Sequence, residues 1–488
     1  MPNQAVISQD LSRDLCATLS AWRYEDLPAA VVEQIKLFML DTLGVIGGAA
    51  GAPGIAELHA RLARWESAGR CASLLGGWHG SPPNAAFGNA AAAHALDYDD
   101  QHDPARTHSY CVVLPSVLAA AQEIGAVDGK RFITAVAVGV ELHTRLGLAC
   151  HRSLEHGWHP TTALGTLGSA VAAGHVLGLS AQQLLNALGL AFHQLGGTRQ
   201  AMIDGVLAKR LGAGFAARSG VTAAFLAADG LTGPSHPLEG EAGLFAVHER
   251  GDVNLAALTE GIGQRWETSN ISMKPYPCCR CNHSTIDLAF ELRARGLRAE
   301  DVASATVAMG RVNRDCVGAR YEPHTAGDPI VHAQFSAAYA FARALTDGEI
   351  SLESYRPESL VDPQVVALAQ RIEVVTDPQV DDSALAPARV EVRRFDGSIE
   401  QHARTQVRGS PAEPMSEADV MRKFYTCLAS GLNASQNDAE ELAEAVLNLQ
   451  TLPDATVIAA KFPTQRLTAQ ASMVRALTPE THRTADVQ

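Results

Sequence analysis

The sequence predicts a mainly α-helical protein of the α+β class, with a large all-helical domain and a smaller α/β lid domain. Apolar residues recur at helical spacing from about residue 10 to 260, whereas β-like segments begin only near residue 270. Composition agrees, because aromatic residues make up only 5% of the 488 residues while Ala and Gly are abundant. Such a composition favours closely packed helices over a β-sandwich.

The helical part includes a segment from Asp26 to Glu33 that carries Pro28 in its first turn, as helix starts often do. Further helices are expected at about residues 83–96, 111–125, 130–149, 161–178, 181–195 and 210–229. The last of these contains Gly212, Ala216 and Gly220 at helical spacing. Because glycine inside a helix costs about 1 kcal/mol relative to alanine, this cluster predicts close contact with a neighbouring helix.

The second part of the chain mixes strands with helices. Strands are expected at residues 305–312, 372–376, 389–395 and 399–407, and the last two flank Asp396-Gly397, a strong hairpin signal. Helices are expected between these strands, at 283–295, 330–345 and 363–370, and after them, at 416–430 and 438–450. We therefore divide the chain into a helical domain, residues 1–270 with 409–488, and a lid domain, residues 271–408.

Net charge and cysteine usage exclude some classes of partner and some cellular locations. Asp and Glu number 53 against 39 Lys and Arg, a net charge of −14 that argues against a nucleic-acid or anionic-membrane partner. Met1–Asp14 shows no signal-peptide pattern, and the apolar stretches are shorter than the roughly 20 residues of a membrane span. The nine cysteines form no disulfide framework. We expect a cytoplasmic protein.

The first segment that could carry chemistry is Leu96–His108, which holds four aspartates and two histidines. One interpretation is an active-site loop in which aspartates tune a histidine for proton transfer. Another is a metal site, since Asp and His are common ligands. A solvated acidic loop that caps helices remains equally possible from the residues alone.

Two further segments carry isolated polar residues before helices. His159 follows Gly157-Trp158 and precedes a small-residue helix, whose N-terminus attracts anions. Lys209 opens another small-residue helix, in a chain where only six of the 39 basic residues are lysines. A lysine is a compact charge suited to holding a carboxylate. The alternatives are a capping loop and a lysine that extends to the surface.

The fourth segment, residues 272–287, lies where the helical part gives way to the mixed part. Residues 268–286 include no acidic residue but contain Lys274, Arg280 and His283. Cys278, Cys279 and Cys281 stand beside His283, yet zinc sites usually pair two C-x₂₋₄-C units, and a second unit is missing. Free thiols are therefore expected, and no metal.

Together these segments resemble the MmgE/PrpD family, over roughly residues 10–450. The resemblance rests on Asp97-Tyr-Asp-Asp with His108, Gly157-Trp-His159, Lys209, Leu231-Thr-Gly-Pro234 with Leu238-Glu-Gly240, Lys274-Pro-Tyr-Pro277 with His283 and Asp287, and Gln334-Phe-Ser336 with Tyr339. The family includes 2-methylcitrate dehydratase, cis-aconitate decarboxylase and iminodisuccinate epimerase. The resemblance implies a homodimer that works without a metal or organic cofactor, with the active site between a helical domain and a lid.

The resemblance also implies site residues. The positions that match the family's active site are Asp97, His108, His159, Lys209 and Tyr321. Gln101 stands where family members often have Thr, and Cys279 stands where the decarboxylase has His. With Lys274, Arg280 and His283, these two residues form the expected substrate-binding set.

The shared chemistry of such enzymes is proton movement next to a carboxylate, which needs a base and cations or donors around that carboxylate. We expect His108 and His159 to transfer protons, with Asp97 orienting one imidazole, and the lysines to hold carboxylates of a small di- or tricarboxylate. The leading hypothesis is a cofactor-independent lyase of the 2-methylcitrate dehydratase type. Alternatives are cis-aconitate decarboxylation, dicarboxylate epimerisation, and a non-catalytic dimer that binds an acidic metabolite.

Overall fold

The computed structural model describes residues 10–324, 327–381, 384–385 and 387–463. The ends of the expected helical domain, residues 1–9 and 464–488, lie outside this range. Between residues 10 and 260 the chain is helical, and its elements confirm most helices expected from the apolar periodicity. The helices are α1 (Leu11–Ala21), α2 (Ala29–Gly48), α3 (Ile55–Trp65), α4 (Pro82–His94), α5 (Tyr110–Ile124), α6 (Gly129–Ala149), α7 (Pro160–Leu177), α8 (Ala181–Phe192), α9 (Gln200–Ile203), α10 (Ala208–Ala228), α11 (Leu244–Val247) and α12 (Leu255–Thr259).

The centre of this part is formed by α7 and α10, which pack against each other and against α4 and α5. Glycines make the close approach possible, because a Cβ atom at Gly220 in α10 would collide with the Ser169 side chain of α7. Helices α6 and α10 are long and apolar enough to cross a membrane by length and composition, but their apolar windows are 94% and 56% buried within the protein. They pack as core helices.

Four two-residue strands connect segments of the helical part: β1 (Cys71–Ala72), β2 (His79–Gly80), β3 (Gln101–His102) and β4 (Ile271–Ser272). Strand β1 pairs with β2, and β3 pairs with β4 in an antiparallel arrangement that places Gln101 opposite Ser272. The sequence predicted none of these strands, since a strand of two residues has no apolar periodicity.

A four-stranded sheet organises the rest of the chain, with strands β5 (Val302–Met309), β6 (Ile372–Thr376), β7 (Ala388–Arg394) and β8 (Ile399–Arg404) in the order β6-β5-β7-β8. Strand β5 runs parallel to β6 and antiparallel to β7, and β7 pairs with β8 across the expected hairpin. The accompanying helices are α13 (His283–Ala294), α14 (Arg311–Val317), α15 (Pro329–Gln334), α16 (Ala337–Asp347), α17 (Pro357–Leu360) and α18 (Pro363–Ala369).

Several expected elements differ from the structure at their ends, and two differences have a clear local cause. The helix expected at 330–345 is two helices, α15 and α16, because the Ser336 hydroxyl accepts a hydrogen bond from the backbone N–H of Tyr339 and starts a new helix there. The strand expected at 305–312 spans Val302–Met309 instead, and Gly310 begins the turn into α14.

The buried apolar side chains form two main clusters. One runs from Leu11 to Met273 and also includes Val420 to Phe462, and the other runs from Tyr276 to Val392. The first cluster is completed by α19 (Glu417–Leu432), α20 (Gln436–Leu447) and α21 (Val457–Ala460), of which α19 packs on α2. The helices and the small sheet confirm the mainly helical α+β class.

Candidate active site

The β3–β4 pair brings together two segments that are far apart in the sequence. The loop between α4 and α5 carries Asp97 and returns through β3, while Lys274 lies just after β4. Asp97 has a φ of 53°, in the left-handed region that residues other than glycine seldom adopt. Such a conformation persists only where the surrounding structure holds it, and here it turns the Asp97 side chain into the protein.

The Asp97 carboxylate lies between two lysines. Oδ2 accepts from Nζ of Lys209 at 2.7 Å, and Oδ1 accepts from Nζ of Lys274 at 2.7 Å. All three side chains are buried. Burial alone would raise the pKa of Asp97, but the charges of Lys209 and Lys274 outweigh it and hold this pKa well below its usual value. Burial would likewise lower the pKa of Lys274, and Asp97 reverses that effect and raises it.

Asp99, rather than Asp97, contacts the imidazoles. Its Oδ2 atom lies 2.7 Å from Nδ1 of His94 and 3.3 Å from Nδ1 of His108. Nδ1 of His108 also donates to the Asp100 carbonyl at 2.7 Å. Because a carbonyl oxygen only accepts, Nδ1 of His108 carries a proton, and Nε2 has the lone pair when the ring is neutral. Asp97 was expected to orient an imidazole, but in the structure Asp99 has this role.

His159 occupies the N-cap position of α7. Its Nδ1 atom lies 2.9 Å from Oγ1 of Thr162, and its ring centroid is 6.0 Å from that of His94. The pKa of His159 lies well below its usual value, first because the ring is buried and then because His94 and Lys209 are close. This imidazole is therefore neutral near pH 7.

A cavity of about 450 Å³ opens beside these residues, and His159, Thr162 and Lys209 line it. Close packing of α10 on α7 places Lys209 there, because a Cβ atom at Gly212 would collide with the Thr162 hydroxyl. A larger cavity of about 590 Å³ is lined by other residues, among them Trp22, Lys130 and His175. The smaller cavity is the one that contains the histidine and lysine side chains singled out by the sequence.

Two residues from later in the chain, Lys423 of α19 and Gln334 of α15, also contact this site. Nζ of Lys423 in α19 donates to the carbonyls of Tyr98 at 2.7 Å and Lys274 at 2.9 Å, and it pairs with Asp41 of α2. Nε2 of Gln334 donates to the Leu96 carbonyl at 2.7 Å. These contacts hold the backbones on either side of Asp97.

Arg280 and His283, two expected substrate-binding residues, are engaged in a buried network. The Arg280 guanidinium donates to the Arg408 carbonyl at 2.7 Å, to the Asp103 carboxylate at 3.3 Å, and to Nδ1 of His283 at 3.2 Å. Nε2 of His283 donates weakly to the Cys278 carbonyl at 3.4 Å. Both side chains therefore form their hydrogen bonds with neighbouring protein groups.

Tyr321 and Cys279 lie in the part of the chain with the larger sheet. The Tyr321 hydroxyl donates to the Leu360 carbonyl at 2.8 Å, and its ring packs on Tyr339. Within the described ranges, Tyr321 makes no contact with the cluster formed by His108, His159 and Lys209. Cys279 is partly exposed and lies close to Lys274. Gln101 is buried in β3.

The structure also allows a test of which residues could hold a metal. Ligand atoms of His94, Asp99 and Cys111 lie within 4.8 Å of one another. Burial raises the pKa of the Cys111 thiol well above its usual value, so the thiol stays protonated, and His94 and Asp99 are already hydrogen-bonded to each other. The donor set therefore fits a hydrogen-bond network better than a metal. The nine cysteines are free, as expected.

Comparison with known families agrees with this arrangement. Residues 13–256 match the MmgE/PrpD N-terminal domain, and residues 276–449 match the MmgE/PrpD C-terminal domain. The chain belongs to the MmgE/PrpD family. The gap between the two matches, residues 257–275, contains β4, and one buried apolar cluster gives way to the other at its end, between Met273 and Tyr276.

Curated relatives of this MmgE/PrpD chain match it over nearly their full length. A cis-aconitate decarboxylase of Aspergillus terreus is 28% identical over 91% of this chain and 94% of its own length. A cis-aconitate decarboxylase-like protein of Aspergillus oryzae is 28% identical, covering 92% and 97%. The human cis-aconitate decarboxylase is 26% identical, covering 92% and 94%.

Sequence reasoning missed two residues of this MmgE/PrpD site, His94 and Lys423. His94 ends α4 and looked like an ordinary helical position, although its place three residues before Asp97 was a signal. Lys423 lies 149 residues from Lys274, whose carbonyl it contacts, and only the rarity of lysine in the chain could have drawn attention to it.

Proposed function

We propose that this MmgE/PrpD chain is a lyase that acts next to a carboxylate of a small tricarboxylate. The observation that carries the proposal is that His159 and Lys209 line one cavity, with His108 and its partner Asp99 in the adjoining loop. The cavity therefore combines a cation with one imidazole, and His108 is the second proton-transfer group of the proposal.

Lys209 is the group proposed to bind a substrate carboxylate. Lys209 lines the cavity, and its Nζ atom donates to Oδ2 of Asp97 at 2.7 Å. The N-terminus of α7 faces the same cavity through Thr162, and its partial positive charge favours an anion there. Binding at this position would bring the carbon next to the carboxylate close to His159.

His108 and His159 form the proposed proton-transfer pair. Buried and neutral, His159 can exchange a proton without first losing a stable charge. Nδ1 of His108 is occupied by the Asp100 carbonyl, which leaves its Nε2 atom for the substrate. The negative charge that develops on the reacting carboxylate would be stabilised by Lys209.

The first candidate reaction is decarboxylation of cis-aconitate, supported by the relatives of that name that match over most of this chain. Carbon dioxide would leave with breakage of a carbon–carbon bond, and the electron pair left on carbon would take a proton from an imidazole. Gln101 and Cys279, which differ from the family pattern, would then adjust substrate choice.

The second candidate reaction is dehydration of 2-methylcitrate, which the pair of imidazoles supports. Dehydration needs a base to remove a proton and an acid to protonate the leaving hydroxyl, whereas decarboxylation needs only a proton donor. His108 and His159 both lie near His94, whose ring centroid is 4.9 Å from that of the first and 6.0 Å from that of the second. Two separate proton-transfer groups are thus available.

The quaternary structure and location belong to the same proposal. We propose a homodimer, supported by the exposed apolar side chains Ile203 and Phe215, which are 61% and 46% exposed and of which Phe215 lines the cavity. We also propose a cytoplasmic enzyme that works without a metal or organic cofactor. Light scattering of the purified protein would test the dimer.

The test is a product analysis with chelator-treated protein. Cis-aconitate, 2-methylcitrate and a panel of di- and tricarboxylates are incubated in D₂O and followed by NMR, because carbon dioxide loss, water loss and simple deuterium exchange give different products. Lys209→Met and His159→Gln should lose most turnover. Lys130→Met, at a lysine that is 52% exposed, is the matched control and should keep it.

Three results would overturn the proposal. Full turnover in both Lys209→Met and His159→Gln would remove these residues from the site. Activity that disappears with chelator and returns with a metal would overturn the metal-independent mechanism. Thermal stabilisation by a polyacid without any product would favour the non-catalytic dimer.

A further inference from the structure

His94 lies within the histidine cluster, but the proposed function gives it no task. Its ring centroid is 4.9 Å from that of His108 and 6.0 Å from that of His159. The side chain is fully buried at the end of α4. Fully buried polar side chains are costly unless their hydrogen bonds are satisfied, so its partners indicate what it does.

The only partnered nitrogen of His94, within the described part of the chain, is Nδ1. It lies 2.7 Å from Oδ2 of Asp99, whereas Nε2 is buried and has no hydrogen-bond partner among the described residues. Burial would raise the pKa of Asp99, but its interactions with His94 and His108 outweigh burial and hold this pKa well below its usual value, so the carboxylate is ionised and accepts. Nδ1 of His94 therefore donates, and Nε2 carries the lone pair.

The same carboxylate oxygen also reaches His108. Oδ2 of Asp99 lies 3.3 Å from Nδ1 of His108, which is a longer contact than the one with His94. The hydrogen bond with His94 fixes where this oxygen lies, and its longer contact with His108 depends on that position. His94 thus determines the direction from which Asp99 faces His108.

We propose that His94 is a positioning residue: its Nδ1–H holds Oδ2 of Asp99 against His108 and so fixes the orientation of His108. This inference rests on the proposed function, in which His108 exchanges a proton with the substrate. An imidazole oriented by a carboxylate presents its other nitrogen in one defined direction. His94 would act through Asp99 and would not touch the substrate.

The test compares two substitutions that retain different halves of the imidazole. In His94→Asn the amide N–H takes the position of Nδ1, whereas in His94→Gln the longer amide takes the position of Nε2. We expect His94→Asn to keep kcat within about threefold, and His94→Gln to lower kcat by about 10- to 100-fold with little change in KM, since misorientation alone has effects of that size.

Two kinetic outcomes would overturn the inference. If His94→Gln were active and His94→Asn were not, Nε2 would be the important atom and His94 a proton relay. If both variants kept full turnover, His94 would have no role in the reaction.

A second measurement does not depend on turnover. In protein labelled with ¹⁵N-histidine, long-range ¹H–¹⁵N spectra at pH 7 should show protonated Nδ1 in both His94 and His108, and His94→Gln but not His94→Asn should disturb the His108 signals. The opposite tautomer at His94, or undisturbed His108 signals in His94→Gln, would overturn the inference. Wild-type protein without turnover on any carboxylate would instead refute the proposed function, and the tautomer result would stand separately.

Discussion

The Lys274 ammonium contacts both the side chain and the backbone of Asp97: Nζ lies 2.7 Å from Oδ1 and 2.9 Å from the carbonyl oxygen of Asp97. Lys274 follows β4, and Asp97 precedes β3, so this contact closes the loop in which Asp97 has a positive φ. With Lys209 on the other oxygen, one buried carboxylate pairs with two buried ammonium groups. Stability and activity should therefore depend on the same carboxylate.

Replacing Asp97 by Asn should be strongly destabilising, because Lys209 and Lys274 would be left buried without the carboxylate that pairs with both. We expect the free energy of unfolding to fall by about 3–5 kcal/mol, the usual cost of breaking a buried ion pair. Urea denaturation followed by circular dichroism measures it. The control is Glu155→Gln, which removes a pair with Arg152 whose side chains are 42% and 46% exposed and should cost less than about 1 kcal/mol. Equal effects of the two substitutions would contradict the assignment.

The cost of Asp97→Asn should also depend on pH. The pKa of Asp97 is lower in the folded protein than the value of about 3.9 in an unfolded chain. Its contribution is therefore complete above pH 4 and is lost as the pH falls through the folded pKa. The difference in unfolding free energy between wild type and Asp97→Asn should shrink below about pH 4. A difference that stays constant to pH 2 would show that Asp97 is not ionised in the folded protein.

The sequence predicted the fold class and most helices, because helices such as α7 and α10 carry their period and small residues locally. It also singled out His159 and Lys209, which the packing of those two helices brings to one cavity. The boundary between α15 and α16 was missed because Ser336 interrupts an otherwise continuous helical pattern.

The partners within the site could not be predicted, because they depend on non-local pairing. Whether Asp97 or Asp99 faces an imidazole depends on the turn of a loop held by β4, about 170 residues further along the chain. Tyr321 was placed by resemblance, and its hydroxyl bonds to the Leu360 carbonyl instead of facing the cluster. Sequence reasoning finds the reactive residue types, and three-dimensional pairing assigns their partners.

His59 should make stability fall as the pH is lowered below about 6.5. Burial lowers its pKa to about 4 in the folded protein, against about 6.5 in an unfolded chain. Between these values the unfolded chain binds a proton that the folded protein does not, so unfolding is favoured by up to about 1.4 kcal/mol per pH unit. His59→Gln should reduce this slope between pH 6.5 and 4, measured by urea denaturation at several pH values.

The matched control for His59 is Ser73→Ala. The Ser73 hydroxyl is 2.8 Å from Nδ1 of His59, so its removal lowers stability while the imidazole remains. Ser73→Ala should therefore keep the pH slope that His59→Gln reduces. A wild-type slope that survives in His59→Gln would refute the prediction.

Gly220→Ala should destabilise the protein although alanine favours helices. A Cβ atom at this position would lie within 2.6 Å of the backbone nitrogen of Ala170 in α7. Overpacking of this kind costs about 1–3 kcal/mol, which exceeds the gain of about 1 kcal/mol in helix propensity. The melting temperature should fall, and turnover should fall with it because α10 carries Lys209. Gly51→Ala, where the new Cβ would have open space, should change neither.

Cys316 should be the thiol most reactive towards alkylating agents at neutral pH. A hydrogen bond from Cys281 lowers its pKa to about 7 despite burial, and Arg106 and Arg199 add to the effect. Because the thiolate is the nucleophile, its modification by iodoacetamide should rise steeply around pH 7.

Mass spectrometry of peptides after brief labelling measures this modification at each cysteine. Cys427, whose pKa is raised to about 12 by burial, is the control and should stay unmodified. Cys281→Ala should slow the labelling of Cys316 at pH 7, because it removes the donor that stabilises the thiolate. Labelling that is fastest at another cysteine would contradict the prediction.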